Sequence, residues 1–193
     1  MARVSTLTSG LPPTTSDTVA RATPLARATA ATDTAAPERL PDLAAELGVG
    51  QLLVKDESQR SQLGSFKALG APIALVRLIL RRFPEHNFNV RALLAGEYAE
   101  ALAGFTVISA TDGNHGKGLA AAAQSIGCRC VIVLHANVSV EREEAIAAYG
   151  ATIVRIAGNY DESVEEAAAL ALANDWIVVS DTSYEGYEVI PRD

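Results

Sequence analysis

The sequence predicts an α/β protein, a parallel sheet flanked by helices, and three observations carry that expectation. From residue 105 onward, apolar runs of five or six residues alternate with helical stretches of about ten. Gly127 and Gly150 close the first two of those stretches, at the position where a residue without a Cβ ends a helix at least cost. Hydrophobic residues make up 49% of the 193 and charged residues 20%, which is enough apolar surface to cover a sheet on both faces. Short apolar strands separated by helices pair in parallel, because each helical crossover returns the chain to the same end of the sheet.

The elements follow in order. The first 36 residues are rich in Ala, Thr, Ser and Pro and poor in acids. A transit peptide shares that composition, but no apolar run or stepwise arginine face follows, so the stretch reads as a mobile lead-in with residues 1–22 as a flexible tail. Residues 40–47 read as a short helix capped by Gly48. Residues 51–55 form a compact strand, and 56–64 a polar loop. Ser65 suits the head of a helix running to Arg82, since its hydroxyl can accept a first-turn N–H. Pro72 lies within that span and predicts a kink, because its ring removes a donor. Strands at 105–110, 130–134, 152–156 and 176–180 then alternate with helices at 116–126, 141–149 and 161–173.

Charge and composition exclude several classes. A net charge of −7 and a pI near 5.0, with no basic run, argue against nucleic acid as a partner. The apolar stretches fall short of the ~20 residues that span a bilayer, so no membrane partner is expected. Cys128 and Cys130 alternate along one strand, where neighbours two apart do not pair, and no histidine or cysteine cluster surrounds them. A reduced, cytoplasmic setting and no metal site are the expectation.

Two motifs carry chemistry. Ser109-Ala110-Thr111-Asp112-Gly113-Asn114-His115-Gly116 leaves a strand, turns and enters a helix. Backbone N–H groups at such a helix mouth favour an anionic or electron-rich ligand. An ordinary strand-to-helix turn reads the same way, and the glycine spacing misses the dinucleotide fingerprint. About 45 residues earlier stands Gly64-Ser65-Phe66-Lys67-Ala68-Leu69-Gly70. Lys67 sits near a helix N-terminus, which disfavours positive charge and so helps a neutral amine form an imine. A solvated surface lysine is the alternative. The chain has three lysines, Lys55, Lys67 and Lys117, which keeps the candidates for such a bond few.

Taken in this order, the two motifs resemble the lysine and asparagine halves of the tryptophan-synthase-β-like, fold type II pyridoxal-phosphate enzymes. Within that superfamily, Lys55-Asp56-Glu57-Ser58-Gln59-Arg60, Thr111-Asp112-Gly113-Asn114-His115-Gly116 and Ser180-Asp181-Thr182-Ser183-Tyr184-Glu185-Gly186-Tyr187 are similar to the diaminopropionate ammonia-lyase family. Serine and threonine dehydratases usually carry Ser where Asp112 stands. Thr23-Pro24-Leu25 and Gly158-Asn159-Tyr160-Asp161 are weaker echoes, and the resemblance spans about residues 23–193.

The resemblance implies pyridoxal 5'-phosphate as cofactor, with Lys67 as the Schiff-base lysine and Asn114 beside the cofactor's 3-hydroxyl. It places Asp112 and Asp181 around a small amino-acid substrate, where carboxylates can hold an ammonium group or remove an α-proton. Asp181 also suits a local turn at a strand end. The implied activity is elimination of ammonia from 2,3-diaminopropionate to give pyruvate; a serine or threonine dehydratase and a catalytically silent remnant are the alternatives. Residues 23–82 would open the large cofactor-binding domain, 83–183 form the small α/β domain, and 184–193 begin the return to the large one. No Gly-Gly pair occurs, so the family's glycine-rich phosphate loop has no counterpart, and the chain resembles an N-terminal half. The family implies a homodimer. For this chain we expect weak cofactor binding, and self-association through an exposed strand edge and helix face in 51–82.

Overall fold

A computed structural model describes residues 37–59, 61, 63–183 and 186–192. The expected tail and Thr23-Pro24-Leu25 lie outside them.

The described chain opens with β1 (Glu38–Arg39), α1 (Pro41–Glu46) and β2 (Leu53–Val54), and the two short strands pair antiparallel. Pro41 begins α1, where a missing N–H costs nothing. Phe66–Ala68 then forms a 3₁₀ turn before α2 (Gly70–Arg82). The expected continuous helix over 65–82 is therefore two pieces, and Pro72 explains the division. Its ring would strike the carbonyl of residue 68 in an unbroken helix, whereas in the first turn of α2 it displaces no hydrogen bond. The expected kink becomes a helix start.

Residues 83–104 fold into α3 (Val90–Leu94) and α4 (Ala99–Leu102). Asn89 caps α3 by accepting from the N–H groups of Arg91 and Ala92 at 3.0 and 3.1 Å. Aromatic contacts hold the segment together: Phe83 meets Phe105 edge-on at 5.5 Å, and His86 stacks on Phe88 at 5.0 Å.

The alternating part follows expectation, with small shifts at the ends: β3 (Thr106–Ala110), α5 (Asn114–Ile126), β4 (Arg129–Leu134), α6 (Val140–Ala147), β5 (Thr152–Arg155), α7 (Tyr160–Asn174) and β6 (Ile177–Val178). The four strands form one parallel sheet in the order β5-β4-β3-β6. Strand residues alternate between two cores. Val107, Cys130, Ile132 and Leu134 face α2 and α5, while Ile108, Ala110, Val131 and Val133 face Ala167 and Ala171 of α7. Each of the valine, leucine and isoleucine side chains, fully buried, contributes about 1.5–3 kcal/mol, which is why β3 and β4 read as unbroken apolar runs. Gly127, which ends α5 at φ +88°, is needed twice over, because a Cβ there would also overlap Ala99 of α4.

One expectation about 51–82 changes. The apolar face of α2 is not exposed: Ala71, Leu75, Val76 and Ile79 are buried in the same core as Leu119 and Ala123 of α5. Several exposed apolar residues cluster on the β1–α1–β2 unit, at Leu43, Leu47, Val49, Leu53 and Val54, and Phe66 is exposed as well. No described helix is long and apolar enough to cross a membrane.

Candidate active site

The strand order fixes where a site can form. The chain runs β3 to β4 to β5 outward, then returns to lay β6 on the other side of β3. Beyond the carboxyl ends of β3 and β6, neighbouring connections diverge and leave a crevice. Asp112 and Asn114 follow β3, and Asp181 follows β6, so the topology gathers residues that the sequence separates.

Lys67 reaches this crevice from outside the sheet. Ser65, as expected, caps its turn: the Ser65 hydroxyl oxygen accepts from the Lys67 N–H at 3.2 Å. The turn rests on α5, where a Cβ on Gly118 would lie 3.0 Å from the Lys67 carbonyl oxygen. Lys117 ties down the preceding loop by donating from Nζ to the Leu63 carbonyl at 3.2 Å. The Lys67 amine donates to Asp181 Oδ2 at 2.6 Å. Lys67 thus stands in a short 3₁₀ turn with its amine paired to a carboxylate.

A cavity of about 290 Å³ opens at this contact, lined by Phe66, Lys67, Ala71, His115, Ser180 and Asp181, with Ile190 and Pro191 at its far side. Asp112 and Asn114 stand at the β3 exit, exposed and outside that lining. The structure therefore joins Lys67 and Asp181 directly and leaves the other two at the adjoining turn. Thr111 organises that turn, its hydroxyl accepting from the N–H groups of Gly113 and Gly116 at 3.2 and 3.3 Å. Arg142 of α6 reaches across and donates to the Asp112 carbonyl at 3.2 Å.

Partial burial pushes the Asp181 carboxyl upward. The hydrogen bond and charge of Lys67, with His115 nearby, outweigh that push and hold the group below the usual aspartate range. Tyr160, the first residue of α7, is shifted upward by burial and then by the charges of Asp181 and Asp112. The phenol thus shares an electrostatic environment with both aspartates. A capping box fixes it there: Asn159 and Glu162 exchange backbone–side-chain bonds of 3.1 and 2.7 Å. Tyr160 and His115 lie within the sequence motifs, which assign neither a role. For His115 the available signal was a polar residue on the buried stripe of an alanine-rich helix. For Tyr160 it was the Asn-x-x-Glu cap placed after a strand.

The primary amine at the cavity suits an aldehyde, which it can capture as an imine. This amine, about one-third exposed, opens into the cavity near the start of α5, where Asn114 is exposed. A glycine-rich cradle for a phosphate is not found among the described residues, and the described residues hold no cluster able to bind a metal.

A family model for pyridoxal-phosphate-dependent enzymes matches residues 21–190, and the chain belongs to that family. More narrowly, it is 38% identical over 153 residues to the diaminopropionate ammonia-lyase of Escherichia coli K12, covering 79% of this chain and 38% of that enzyme. A crystal structure of the holo form of the Escherichia coli enzyme superposes with a TM-score of 0.80 at 33% identity, over 95% of this chain and 46% of the other. An L-threonine dehydratase from Pasteurella multocida is 36% identical over 93 residues, covering 47% of this chain and 18% of its own length. The chain thus spans less than half the length of these relatives.

Proposed function

We propose that this chain carries the lysine side of the active site of a carbon–nitrogen lyase that eliminates ammonia from 2,3-diaminopropionate and yields pyruvate. The contact that carries the reading is Lys67 Nζ to Asp181 Oδ2 at 2.6 Å, in a cavity at the crevice between β3 and β6. The extent of similarity to ammonia-lyases, greater than to the dehydratase, supports the substrate class.

When bound, pyridoxal phosphate supplies an aldehyde that captures amines and a ring that accepts electrons. In this reading Lys67 would hold the cofactor by its aldehyde, whose oxygen departs as water, and Asp181 would take or return the proton of the lysine amine. Asn114 would hold the cofactor's 3-hydroxyl. Asp112 and Asp181 flank a substrate that bears two amines. One carboxylate holds the β-ammonium while the other removes the α-proton, and their placement at two strand exits lets either enantiomer be served. In the same proposal residues 23–82 open the large domain and 83–183 form the small one, with α2 packed across the boundary; 184–193 begin the return to the large domain. A homodimer in the cytoplasm is the assembly and setting we assign, and the two buried free thiols, Cys128 and Cys130, fit a reducing compartment.

Borohydride trapping with the cofactor, followed by peptide mapping, tests the site. Label is expected on Lys67; label on Lys55 or Lys117 with Lys67 untouched defeats the assignment. Pyruvate release tests the substrate. Faster release from serine or threonine than from diaminopropionate would replace the ammonia-lyase reading with a dehydratase.

A further inference from the structure

We propose that His115 and Tyr187 are positioning residues that grip the exit of β6 from both edges and thereby set the Asp181 carboxylate against Lys67. The argument starts from backbone accounting. β6 ends at Val178, and one more ladder bond follows, from the Val179 N–H to the Ile108 carbonyl at 2.9 Å. Beyond it the strand leaves the sheet, and its polar groups need other partners.

Two side chains supply them. In an extended chain the N–H and C=O of one residue point to the same edge, while the C=O of the residue before and the N–H of the residue after point to the opposite one. On the β3 edge, the Val179 carbonyl lies 2.8 Å from His115 Nε2. On the outer edge, the Tyr187 hydroxyl accepts from the Ser180 N–H at 2.7 Å and donates to the Val178 carbonyl at 3.1 Å. Side chains thus stand in for neighbouring strands on both edges, and Asp181 is the next residue.

The histidine's orientation follows from the same contact. A carbonyl only accepts, so Nε2 is the donor to Val179. The other nitrogen, Nδ1, then faces Asp181 Oδ2 at 3.9 Å, the same oxygen that Lys67 binds. His115 is 4% exposed, so the ring has little room to turn elsewhere. Asp181 accordingly faces Lys67 from the 3₁₀ turn, His115 from α5 and Tyr160 from α7, with Thr182 beside it and Asp112 at the next strand exit.

The clamp deepens the lyase reading of the same site. Its test needs neither cofactor nor turnover, so its failure leaves that reading standing. Carbon-13 side-chain NMR of this chain follows the Asp181 titration. Lys67→Met serves as the reference and moves the titration upward. Tyr187→Phe and His115→Leu are expected to move it upward as well, by at least half of the reference shift. In His115→Gln the amide nitrogen reaches the place of Nε2, so most of the wild-type depression should remain. An unchanged titration in folded Tyr187→Phe and His115→Leu overturns the proposal. Equal shifts in the Gln and Leu variants would assign His115 a purely electrostatic effect and also overturn its positioning role. If a variant does not fold, the Ser180 amide of the unmodified chain decides: slow hydrogen exchange is required by the clamp, and exchange at the rate of a free loop refutes it.

Discussion

Lys67 and Asp181 are 114 positions apart in sequence and joined by a 2.6 Å contact, and the lysine's hydrogen bond and charge help keep the aspartate ionised. Asp181 titrates below its ordinary value of 3.8. Its ionised form is therefore favoured by folding, and that stabilisation is fully present above the unfolded value. It is lost as pH falls through the folded one. Both side chains are about one-third exposed, at 35% and 31%, so solvent screening limits the pair to about 1 kcal/mol. Lys67→Met should lower stability by roughly that amount at neutral pH, and the gap should close in strong acid. Urea midpoints measured across the acid range check this; a gap that stays constant as the pH falls from neutral far into the acid range would mean that packing, not the ion pair, was lost.

The elements around the site depend on close approach, and α5 shows it best. Gly127 combines a left-handed backbone with contact against α4, so Gly127→Ala should cost about 2–5 kcal/mol, from strain together with overpacking. Thermal or denaturant unfolding measures it, and a loss under about 1 kcal/mol would mean that α4 yields readily. Just before and within β4, burial raises Cys128 and Cys130 to about 12. Folding thus favours the neutral thiols. Their contribution is intact below the usual thiol value of 9.0 and lost as pH climbs from there towards 12. Neither thiol should react with a chromogenic disulfide reagent near pH 8 until denaturant is added. Rapid labelling of the native chain would show that β4 opens readily.

At the scale of the molecule, the four-stranded sheet is covered on both faces, whereas the β1–α1–β2 unit presents Leu43, Leu47, Val49, Leu53 and Val54 to solvent. Exposed apolar residues beside a short strand pair invite another chain. Light scattering should detect self-association of the purified protein, and Leu47→Glu with Leu53→Lys should reduce it. Amides of β3 and β4 should exchange most slowly. A monodisperse species unaffected by the two substitutions would refute the assignment of that surface. Cofactor affinity belongs to this scale as well. A phosphate group is commonly anchored by several charge-assisted backbone bonds of roughly 1.5–3 kcal/mol each, and this sequence has no Gly-Gly pair to build such a loop. Equilibrium dialysis should show weak binding of pyridoxal phosphate to this chain alone, and a tight stoichiometric complex would contradict the expectation.

The sequence by itself determined the alternating α/β order, because strands buried on both faces must be apolar and the stretches between them carry helix-forming residues, the first of them stopped by Gly127. It also supplied Lys67, Asp112, Asn114 and Asp181, through motifs whose resemblance named them. Local patterns do not encode what those motifs touch. The split at Leu69 needed the steric demand of Pro72 weighed against its place in a helix, and α3 and α4 are too short for a period to emerge. Only the tertiary structure decided that β6 returns beside β3. That pairing brought Asp181 to Lys67, separated both from Asp112 and Asn114 by one strand exit, and gave His115 and Tyr187 a backbone to hold. Strand order is set by the packing of whole helices over the sheet, a long-range competition that no window of sequence contains.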